Sequence, residues 1–287
     1  MNILVTGAKG QLGTEIKKQA SLYKKWHFIF CDSSDLEITD IAAIDTLVKQ
    51  KGINAIVNCA AYTAVDLAQT NEKQAYAVNA TGAENLAKLA SQFQLKFIHI
   101  STDFVFDGTS STPYTETDTP NPLSVYGKTK LAGEQAVLSL CPEAIILRTS
   151  WLYSAYGRNF VKTVQSLARE RDSLNMVSDQ IGTPTWANDL ASAVLIILAK
   201  LGLGNKCKGI YHYANEGKVS WYNFAVEIIE QSALQCEVHP IKTEAYPTAA
   251  VRPAFSVLDT TKIKRDFGVQ IPFWKRSLER CLTQITN

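Results

Sequence analysis

Long runs of lysine or arginine are missing from this sequence, and its positive and negative charges nearly cancel. The chain of 287 residues carries 29 Lys and Arg against 27 Asp and Glu, a formal net charge of +2. Proteins that bind nucleic acids or membrane surfaces commonly present a basic patch to the phosphates. We therefore expect neither a nucleic acid nor a membrane among the partners of this chain.

Disulfide and metal-binding patterns are missing as well. The six cysteines form no CxxC pair, and several lie in apolar runs such as IVNCAA. Buried free thiols in a reducing compartment explain this usage better than disulfides or zinc ligands. The four histidines show no ligand spacing either. We predict no metal site from these residues.

No segment of the sequence has the pattern of a signal peptide or a membrane span. The start, MNILVTG, leads directly into a strand pattern, without a basic region followed by a long apolar one. The longest apolar helix candidate, LASAVLIILAKLGLG, contains a lysine and is short for a bilayer. We expect a cytoplasmic protein.

What the sequence does contain is an alternation of short β-branched runs and longer helical patterns. Strands are predicted at residues 2–6, 27–31, 55–59, 96–100 and 144–148. Helices are predicted at about 11–24, 40–51, 70–92 and 122–140. Apolar strands separated by helices indicate an α/β fold with a Rossmann-like, doubly wound parallel sheet. Such sheets bind ligands at the carboxyl ends of their strands.

The rhythm of the chain changes after Arg148. Further helices are predicted at about 157–171, 187–200 and 220–233, with short strands at 174–177 and 210–214. We predict an NAD(P)-binding Rossmann domain over 1–150, which also receives segments from about 172–205. Residues 151–287 are expected to form mainly a smaller α/β substrate-binding lobe.

A glycine pattern follows the first predicted strand. Gly7, Gly10 and Gly13 form GxxGxxG between that strand and a helix. Glycine permits a tight turn and close approach of the backbone to a pyrophosphate, and a helix start supplies N–H groups for it. The stretch Ala-Ala-Tyr-Thr at 60–63 follows the third strand, where small residues suit either a cofactor lying on the backbone or close helix packing. The position of GxxGxxG between the first strand and a helix favours a dinucleotide-binding turn over a plain glycine turn.

Two aspartates follow the second strand. Asp32 can accept hydrogen bonds from both ribose hydroxyls of the adenosine half of NADH and would repel the extra phosphate of NADPH. Lys9, Ser33 and Ser34 could weaken that discrimination, and a capping or turn role for Asp32 stays open. Asp40 can cap the next helix, near the adenine or away from it.

A tyrosine and a lysine stand four residues apart in SVYGKTK. Asn121 and Pro122 fit an N-cap and a first helical residue, so Tyr126 and Lys130 should project from one face of a helix. A nearby ammonium and an oxidised nicotinamide would favour the phenolate of Tyr126 and tune it for proton transfer. The lysine could also bind the nicotinamide ribose. An exposed polar pair on a surface helix is the alternative.

A third polar group favours the catalytic interpretation. Thr102 and Asp103 follow the fourth strand at the predicted ligand-binding edge. The hydroxyl of Thr102 can donate to a substrate oxygen on which negative charge develops. Asp103 can hold a sugar hydroxyl or simply serve a turn.

Longer motifs narrow the interpretation. The chain contains GQLG, AAYTAVD, STDFVFDG, NPLSVYGKTKLAGE, RTSWLY and DQIGTPT in this order. In these motifs it resembles the dTDP-4-dehydrorhamnose reductases, a family of the extended short-chain dehydrogenase/reductase superfamily. The resemblance implies that NADPH or NADH reduces the C4 ketone of the nucleotide sugar dTDP-4-dehydro-β-L-rhamnose. The product, dTDP-β-L-rhamnose, would serve cell-surface polysaccharide synthesis.

The resemblance also implies roles for individual residues. Tyr126 matches the proton donor and Lys130 its partner, while Thr102, Asp103 and Trp151 match positions beside the substrate. The positions that match cofactor contacts are Gly10, Gln11, Leu12, Asp32, Asp40, Ile41, Ala61, Tyr62 and Thr63. From its chemistry alone, Arg252 could hold the substrate diphosphate or form a surface ion pair.

The chain departs from the family pattern at two positions. Phe104 stands where tyrosine is more usual, and we expect its side chain to point into the core. Glu15 matches a magnesium ligand of some members, but Asn188 stands where a second glutamate is expected. Because magnesium prefers carboxylate ligands, this difference argues against a magnesium-linked dimer. We expect a monomer or a homodimer.

Two other functions fit parts of the pattern. A nucleotide-sugar epimerase or dehydratase of the same superfamily would use the same cofactor and tyrosine. A dehydratase usually needs an added acid/base pair beside the threonine, and here Asp103 is followed by Phe104 rather than glutamate. The third possibility is a non-catalytic regulatory subunit that resembles that of methionine adenosyltransferase. The intact Tyr126, Lys130 and Thr102 favour catalysis.

Overall fold

The computed structural model describes residues 1–285, in which strands and helices alternate. The strands are β1 (Asn2–Thr6), β2 (His27–Cys31), β3 (Ala55–Asn58), β4 (Lys96–Thr102), β5 (Ile145–Thr149), β6 (Leu152–Tyr153), β7 (Ser173–Val177), β8 (Ile181–Gly182), β9 (Thr185–Trp186), β10 (Gly209–His212), β11 (Val219–Ser220) and β12 (Glu237–Ile241). The helices are α1 (Gln11–Gln19), α2 (Ile41–Lys51), α3 (Val65–Ala68), α4 (Glu72–Tyr76), α5 (Gly82–Gln92), α6 (Val125–Leu140), α7 (Phe160–Glu170), α8 (Ala187–Gly202), α9 (Trp221–Gln231), α10 (Thr261–Phe267) and α11 (Trp274–Ile285).

Six strands form the central sheet in the order β10-β5-β4-β3-β1-β2, and every pairing in it is parallel. The predicted doubly wound α/β fold is therefore confirmed. The chain passes from β1 to β2 on one side and then returns to place β3 on the other side of β1. This reversal creates a crevice at the carboxyl ends of β1 and β3, where sheets of this kind bind their ligands.

Both faces of the sheet are buried, as the continuous apolar strands predict. Along β1, Ile3 and Val5 point to one face and Leu4 to the other, the period of a strand. The first face packs against α1 and α8, and the second against α2, α5 and α6. The strands are thus fixed from both sides, and their carboxyl ends remain the open edge.

A third apolar cluster lies outside the central sheet. It joins α7, α9 and α11 around Trp186, Phe224 and Trp274. Beside it, β7 pairs in parallel with β12. In contrast, α8 packs on the central sheet and β10 joins its edge, so the chain after residue 150 contributes to both bodies. The division into lobes near residue 150 stays a prediction.

The structure corrects two predicted helices. The helix predicted from Asn121 begins only at Val125, and its N-cap is Ser124, whose Oγ accepts from the Gly127 amide at 3.1 Å. Asn121 is held elsewhere, because its backbone N–H donates to the carbonyl of Val105 and its side chain to Asp107. The helix predicted at 70–92 is divided into α4 and α5 by a π-helical segment, Ala77–Thr81.

All six cysteines are free thiols, three of them buried. Within residues 1–285, no helix combines the length and the apolar character that crossing a membrane requires. The expected cytoplasmic location of the protein stays a prediction.

The contact between α6 and the π-helical segment predicts a sharp difference between two glycines. A Cβ at Gly133 would lie 2.2 Å from the carbonyl oxygen of Asn79, whereas one at Gly202 meets no atom within 4 Å. Replacing Gly133 by alanine should lower the free energy of unfolding by about 1–3 kcal/mol, because backbone must move. Gly202→Ala, the matched control, should not lower it, because alanine favours helices. Urea unfolding followed by circular dichroism measures both, and equal values would contradict the proposed close approach.

Candidate active site

A cavity of about 1030 Å³ opens at the carboxyl edge of the sheet, at the crevice between β1 and β3. The predicted site residues that line it are Gly7, Gly10, Gln11, Leu12, Gly13, Asp32, Ala61, Tyr62, Thr63, Thr102, Asp103, Tyr126, Lys130, Trp151 and Arg252. Positions that are up to 245 residues apart in the sequence therefore face one space.

The glycine turn forms one end of this cavity. Gly7 has a φ of +64°, and a Cβ there would lie 2.7 Å from the backbone nitrogen of Ala60. A Cβ at Gly13 would lie 2.4 Å from the carbonyl oxygen of Gly7. Side chains are thus excluded where the turn meets β3 and α1, and the first turn of α1 faces the cavity with no side-chain cap. Backbone N–H groups and the helix dipole make this a fitting cradle for the pyrophosphate of a dinucleotide.

Asp32 lies at the far end of the glycine turn, after β2. Its carboxylate is 3.4 Å from Nζ of Lys9, which also donates to Oγ of Ser34 at 3.1 Å. The acid that would repel an additional phosphate on the adenosine ribose is therefore partly neutralised by a cation from the turn itself. Both side chains are accessible from the cavity, and Lys9 is mostly exposed to solvent.

Asp40 and Ile41 are not among the residues that line the cavity, and their assignment as cofactor contacts stays a prediction. Oδ1 of Asp40 accepts hydrogen bonds from the amides of Ala42 and Ala43 at 3.0 and 3.1 Å. Asp40 is therefore the N-cap of α2, and Ile41 is the first residue of that helix. The segment that precedes them lines the cavity through Leu36, Glu37 and Ile38.

Tyr126 and Lys130 lie one helical turn apart on the buried face of α6. They are 9% and 2% exposed, which excludes the alternative of a surface pair. Nζ of Lys130 donates to the carbonyl oxygen of Ile100 in β4 at 2.7 Å. The lysine therefore ties α6 to the end of the strand that carries Thr102.

Burial dominates the protonation of this pair. It raises the pKa of Tyr126 to about 12, an effect that the interaction with Thr102 opposes and the nearby Asp103 reinforces. It lowers the pKa of Lys130 to about 8, against the opposing effects of Glu134 and Cys59. Without an oxidised nicotinamide beside it, the tyrosine is thus a neutral phenol near neutral pH. A neutral phenol is the form that can give a proton to a ketone oxygen.

Thr102 and Asp103 are buried where β4 ends. Oγ1 of Thr102 donates to Oδ1 of Asp103 at 3.1 Å. The second carboxylate oxygen, Oδ2, is buried and has no hydrogen bond of good geometry among the described residues, although the nearby Ser256 acts to lower the pKa of the group. Burial raises the pKa of Asp103 to about 6, so the carboxylate persists at neutral pH. A buried oxygen of this kind beside a cavity is suited to accept a hydrogen bond from a ligand hydroxyl.

Phe104 lines the cavity, so the expectation that it points into the core was wrong. Its ring lies edge-on to that of Tyr126, with centroids 5.6 Å apart. Phe104 belongs to a short 3₁₀ turn over Asp103–Val105 and also packs against the small apolar cluster of Ala68, Ala75 and Tyr126. An apolar ring against the phenol helps to keep water from it.

An aromatic wall closes the other side of the cavity. Trp151 stacks on Trp221 with ring centroids 3.4 Å apart, and Phe160 packs on Trp221 at 4.6 Å. Trp151 has a φ of +44°, a conformation unusual for a residue with a side chain. Sequence reasoning missed Trp221 and Phe160, because no spacing or periodicity links them to Trp151.

Arg252 reaches the cavity from the C-terminal half, but it is already paired. Its Nη1 and Nη2 donate to Oδ1 and Oδ2 of Asp66 at 3.1 and 2.7 Å. Asp66 also accepts from the amide of Ala250, and these contacts lower the pKa of its carboxyl group. The ion pair therefore crosses the mouth of the cleft between α3 and the loop that follows β12.

Glu15, which matches a magnesium ligand of some dTDP-4-dehydrorhamnose reductases, is hydrogen-bonded to an amide side chain here. Nδ2 of Asn188 donates to Oε2 of Glu15 at 2.9 Å. Glu15 is buried, and desolvation raises its pKa. Among residues 1–285, no group of three or more His, Cys, Asp or Glu side chains is placed to hold a metal ion.

The chain matches the protein family described as RmlD substrate binding domain over residues 1–287. A dTDP-4-dehydrorhamnose reductase of Aggregatibacter actinomycetemcomitans is 44% identical, over 96% of this chain and 97% of that protein. The crystal structure of a dTDP-4-dehydrorhamnose reductase of Clostridium acetobutylicum is 42% identical, covers 100% of both chains and has a TM-score of 0.95. That of Bacillus anthracis, solved in complex with NADP, is 37% identical, covers 99% of both chains and has a TM-score of 0.92. As its motifs predicted, the chain belongs to the dTDP-4-dehydrorhamnose reductase family.

Proposed function

We propose that this chain reduces the C4 ketone of dTDP-4-dehydro-β-L-rhamnose to a hydroxyl group and uses NADPH or NADH as the reductant. The observation that carries the proposal is the placement of Tyr126, Lys130 and Thr102 around one cavity that also contains the glycine turn. Relatives that are named dTDP-4-dehydrorhamnose reductase and match nearly the whole chain support this choice of substrate. The product, dTDP-β-L-rhamnose, feeds cell-surface polysaccharide synthesis.

The glycine turn and the start of α1 bind the pyrophosphate, and Lys130 holds the nicotinamide ribose. When bound, the reduced nicotinamide supplies the hydride that C4 receives. Tyr126 gives its phenolic proton to the ketone oxygen, and Thr102 donates a hydrogen bond to the same oxygen as negative charge develops on it. The ammonium of Lys130 then stabilises the phenolate until a proton from solvent restores it.

The remaining cavity residues orient the sugar and the nucleotide. Asp103 offers its Oδ2 to a sugar hydroxyl, and the wall of Trp151 and Trp221 supplies flat apolar surface. Arg252 is the candidate contact for the diphosphate, because a guanidinium binds phosphate oxygens in a bidentate manner. Its pairing with Asp66 would hold it ready at the mouth of the cleft.

The chemistry of the site also supports where and how the protein works. A nucleotide-sugar reductase draws both of its reactants from the cytoplasm, so we place the protein there. We also propose that the chain acts as a monomer or a homodimer. The pairing of Glu15 with Asn188 argues against magnesium as the link between subunits.

Removal of one phenolic oxygen tests the proton donor. In Tyr126→Phe, turnover of dTDP-4-dehydrorhamnose should fall by about 10²–10⁴, while reduced cofactor still binds. Tyr246→Phe, which removes a hydroxyl from an exposed tyrosine, is the matched control and should keep full activity. The loss of nicotinamide absorbance measures the rate.

Near-normal turnover by Tyr126→Phe would show that another group supplies the proton. Two further results would favour the other functions. NAD that stays bound through purification would indicate an epimerase or dehydratase. Stoichiometric binding of a methionine adenosyltransferase, without turnover of keto sugars, would indicate a regulatory subunit.

The contact between Lys9 and Asp32 predicts that the chain accepts both cofactors. Removing the cation in Lys9→Ala leaves Asp32 to repel the additional phosphate, so kcat/KM for NADPH should fall about fivefold relative to NADH. Lys51→Ala removes a cation from the end of α2 and should leave that ratio unchanged. An unchanged ratio in Lys9→Ala would exclude Lys9 from cofactor selection.

A further inference from the structure

A buried ion pair lies directly behind the catalytic helix. Nε of Arg148 donates to Oε1 of Glu134 at 2.9 Å and Nη2 to Oε2 at 2.6 Å. Both side chains are only 1% exposed, and neither lines the cavity. The guanidinium also lies over the ring of Phe106, 5.1 Å from its centroid. Buried pairs commonly stabilise a fold no better than apolar side chains would, so their presence invites a second explanation.

Glu134 lies one helical turn beyond Lys130 on α6. Both are buried, and residues four apart share one face of a helix, so the carboxylate is adjacent to the stem of the catalytic lysine. The central sheet also brings Arg148 close to the residue that binds Lys130. Arg148 in β5 pairs with Ser101 in β4, the neighbour of Ile100, whose carbonyl oxygen accepts from Lys130.

Among the described residues, Glu134 is the ionised acid that stabilises the charge of Lys130. The other titratable groups that act on the lysine are Cys59, directly after β3, and His99 from β4. Burial raises the pKa of the Cys59 thiol to about 12 and lowers the pKa of His99 well below its usual value, so both are neutral at neutral pH.

Three further groups complete this surrounding. Asp103, at the end of β4, acts on the phenol of Tyr126, which is itself neutral. Arg148 is a second cation, whose charge is compensated by its own bond to Glu134. A carboxylate between two cations therefore sets the charge balance behind the active site.

We propose that Glu134, held in place by Arg148, is a positioning residue that keeps Lys130 in its ammonium form and directed toward Tyr126 and the nicotinamide ribose. For the reaction itself this rests on the proposed reductase function. For cofactor binding it does not, because the contact between Lys130 and the ribose requires no sugar. The effect of Glu134 on cofactor binding can therefore be tested separately from its effect on the reaction.

The test is the pH dependence of NADPH binding by Glu134→Gln, followed by the fluorescence of the reduced nicotinamide. The pKa of Lys130 is lowered to about 8, so its ammonium is present below that pH and is lost as the pH rises. Loss of the carboxylate lowers this pKa further, because an opposite charge favours the charged form. The alkaline fall in NADPH affinity should therefore move to lower pH by about one unit. The alkaline limb of kcat/KM should move with it.

Val137→Ala is the matched control on the same helix. It removes apolar volume at a fully buried position without changing any charge, so it should reduce stability and leave both pH profiles unchanged. If Glu134→Gln does not fold, the double variant Glu134→Gln/Arg148→Met removes both charges of the pair. Apolar replacement of a whole buried pair is often tolerated, and a smaller shift in the same direction is expected, because a cation is lost together with the carboxylate.

A folded Glu134→Gln that binds NADPH with the wild-type pH profile would overturn the proposal and leave the pair a purely structural contact. If no variant, nor the wild type, turns over the keto sugar, but the binding profile still shifts, then the reductase function fails and the positioning role of Glu134 stands. Equal shifts in Glu134→Gln and Val137→Ala would also overturn it, because general loosening of the helix would then explain the change.

Discussion

The hydrogen bond from Lys130 to the carbonyl of Ile100 is the contact on which the proposed chemistry depends. It joins the catalytic helix to the strand that ends in Thr102, two elements that are separated in sequence by the long loop after β4. It helps to fix the phenol of Tyr126 relative to the hydroxyl of Thr102, together with the close packing of Gly127 against the backbone of Phe104. Because the bond lies in a buried site, it also removes the lysine from water and makes its charge sensitive to neighbouring groups.

The sequence predicted those parts of the fold that local patterns encode. The strands of the central sheet follow from short apolar runs, and the position of the glycine turn follows from its place between a strand and a helix. The pair of Tyr126 and Lys130 follows from helical spacing, although its burial does not. What failed depended on tertiary context. Asn121 satisfies its polar groups through Val105 and Asp107, so a reasonable capping signal did not start a helix there.

Within the active site, too, local patterns were predictable and tertiary contacts were not. Phe104 lies in a short 3₁₀ turn at the cavity, and no one-dimensional pattern distinguishes such a turn from a continuing strand. Trp221 contacts Trp151 across 70 positions of sequence, a distance that periodicity cannot bridge. Asp40 illustrates the opposite case. Its capping role was visible locally, and the structure shows Asp40 as the N-cap of α2.

The number of residues in the π-helical segment between α4 and α5 affects the geometry of the active site. The side chain of Asn79, within that segment, accepts from the backbone of Tyr62 at 2.8 Å and donates to Oγ1 of Thr129 at 3.0 Å. One amide thereby connects the loop after β3 with the catalytic helix. Loss of a single residue here would turn everything on one side by about 100°, one step of an α-helix, and carry the amide away from both partners. Insertions and deletions should thus be far less tolerated in this stretch than in the surface loops, even though none of its side chains is needed for the chemistry.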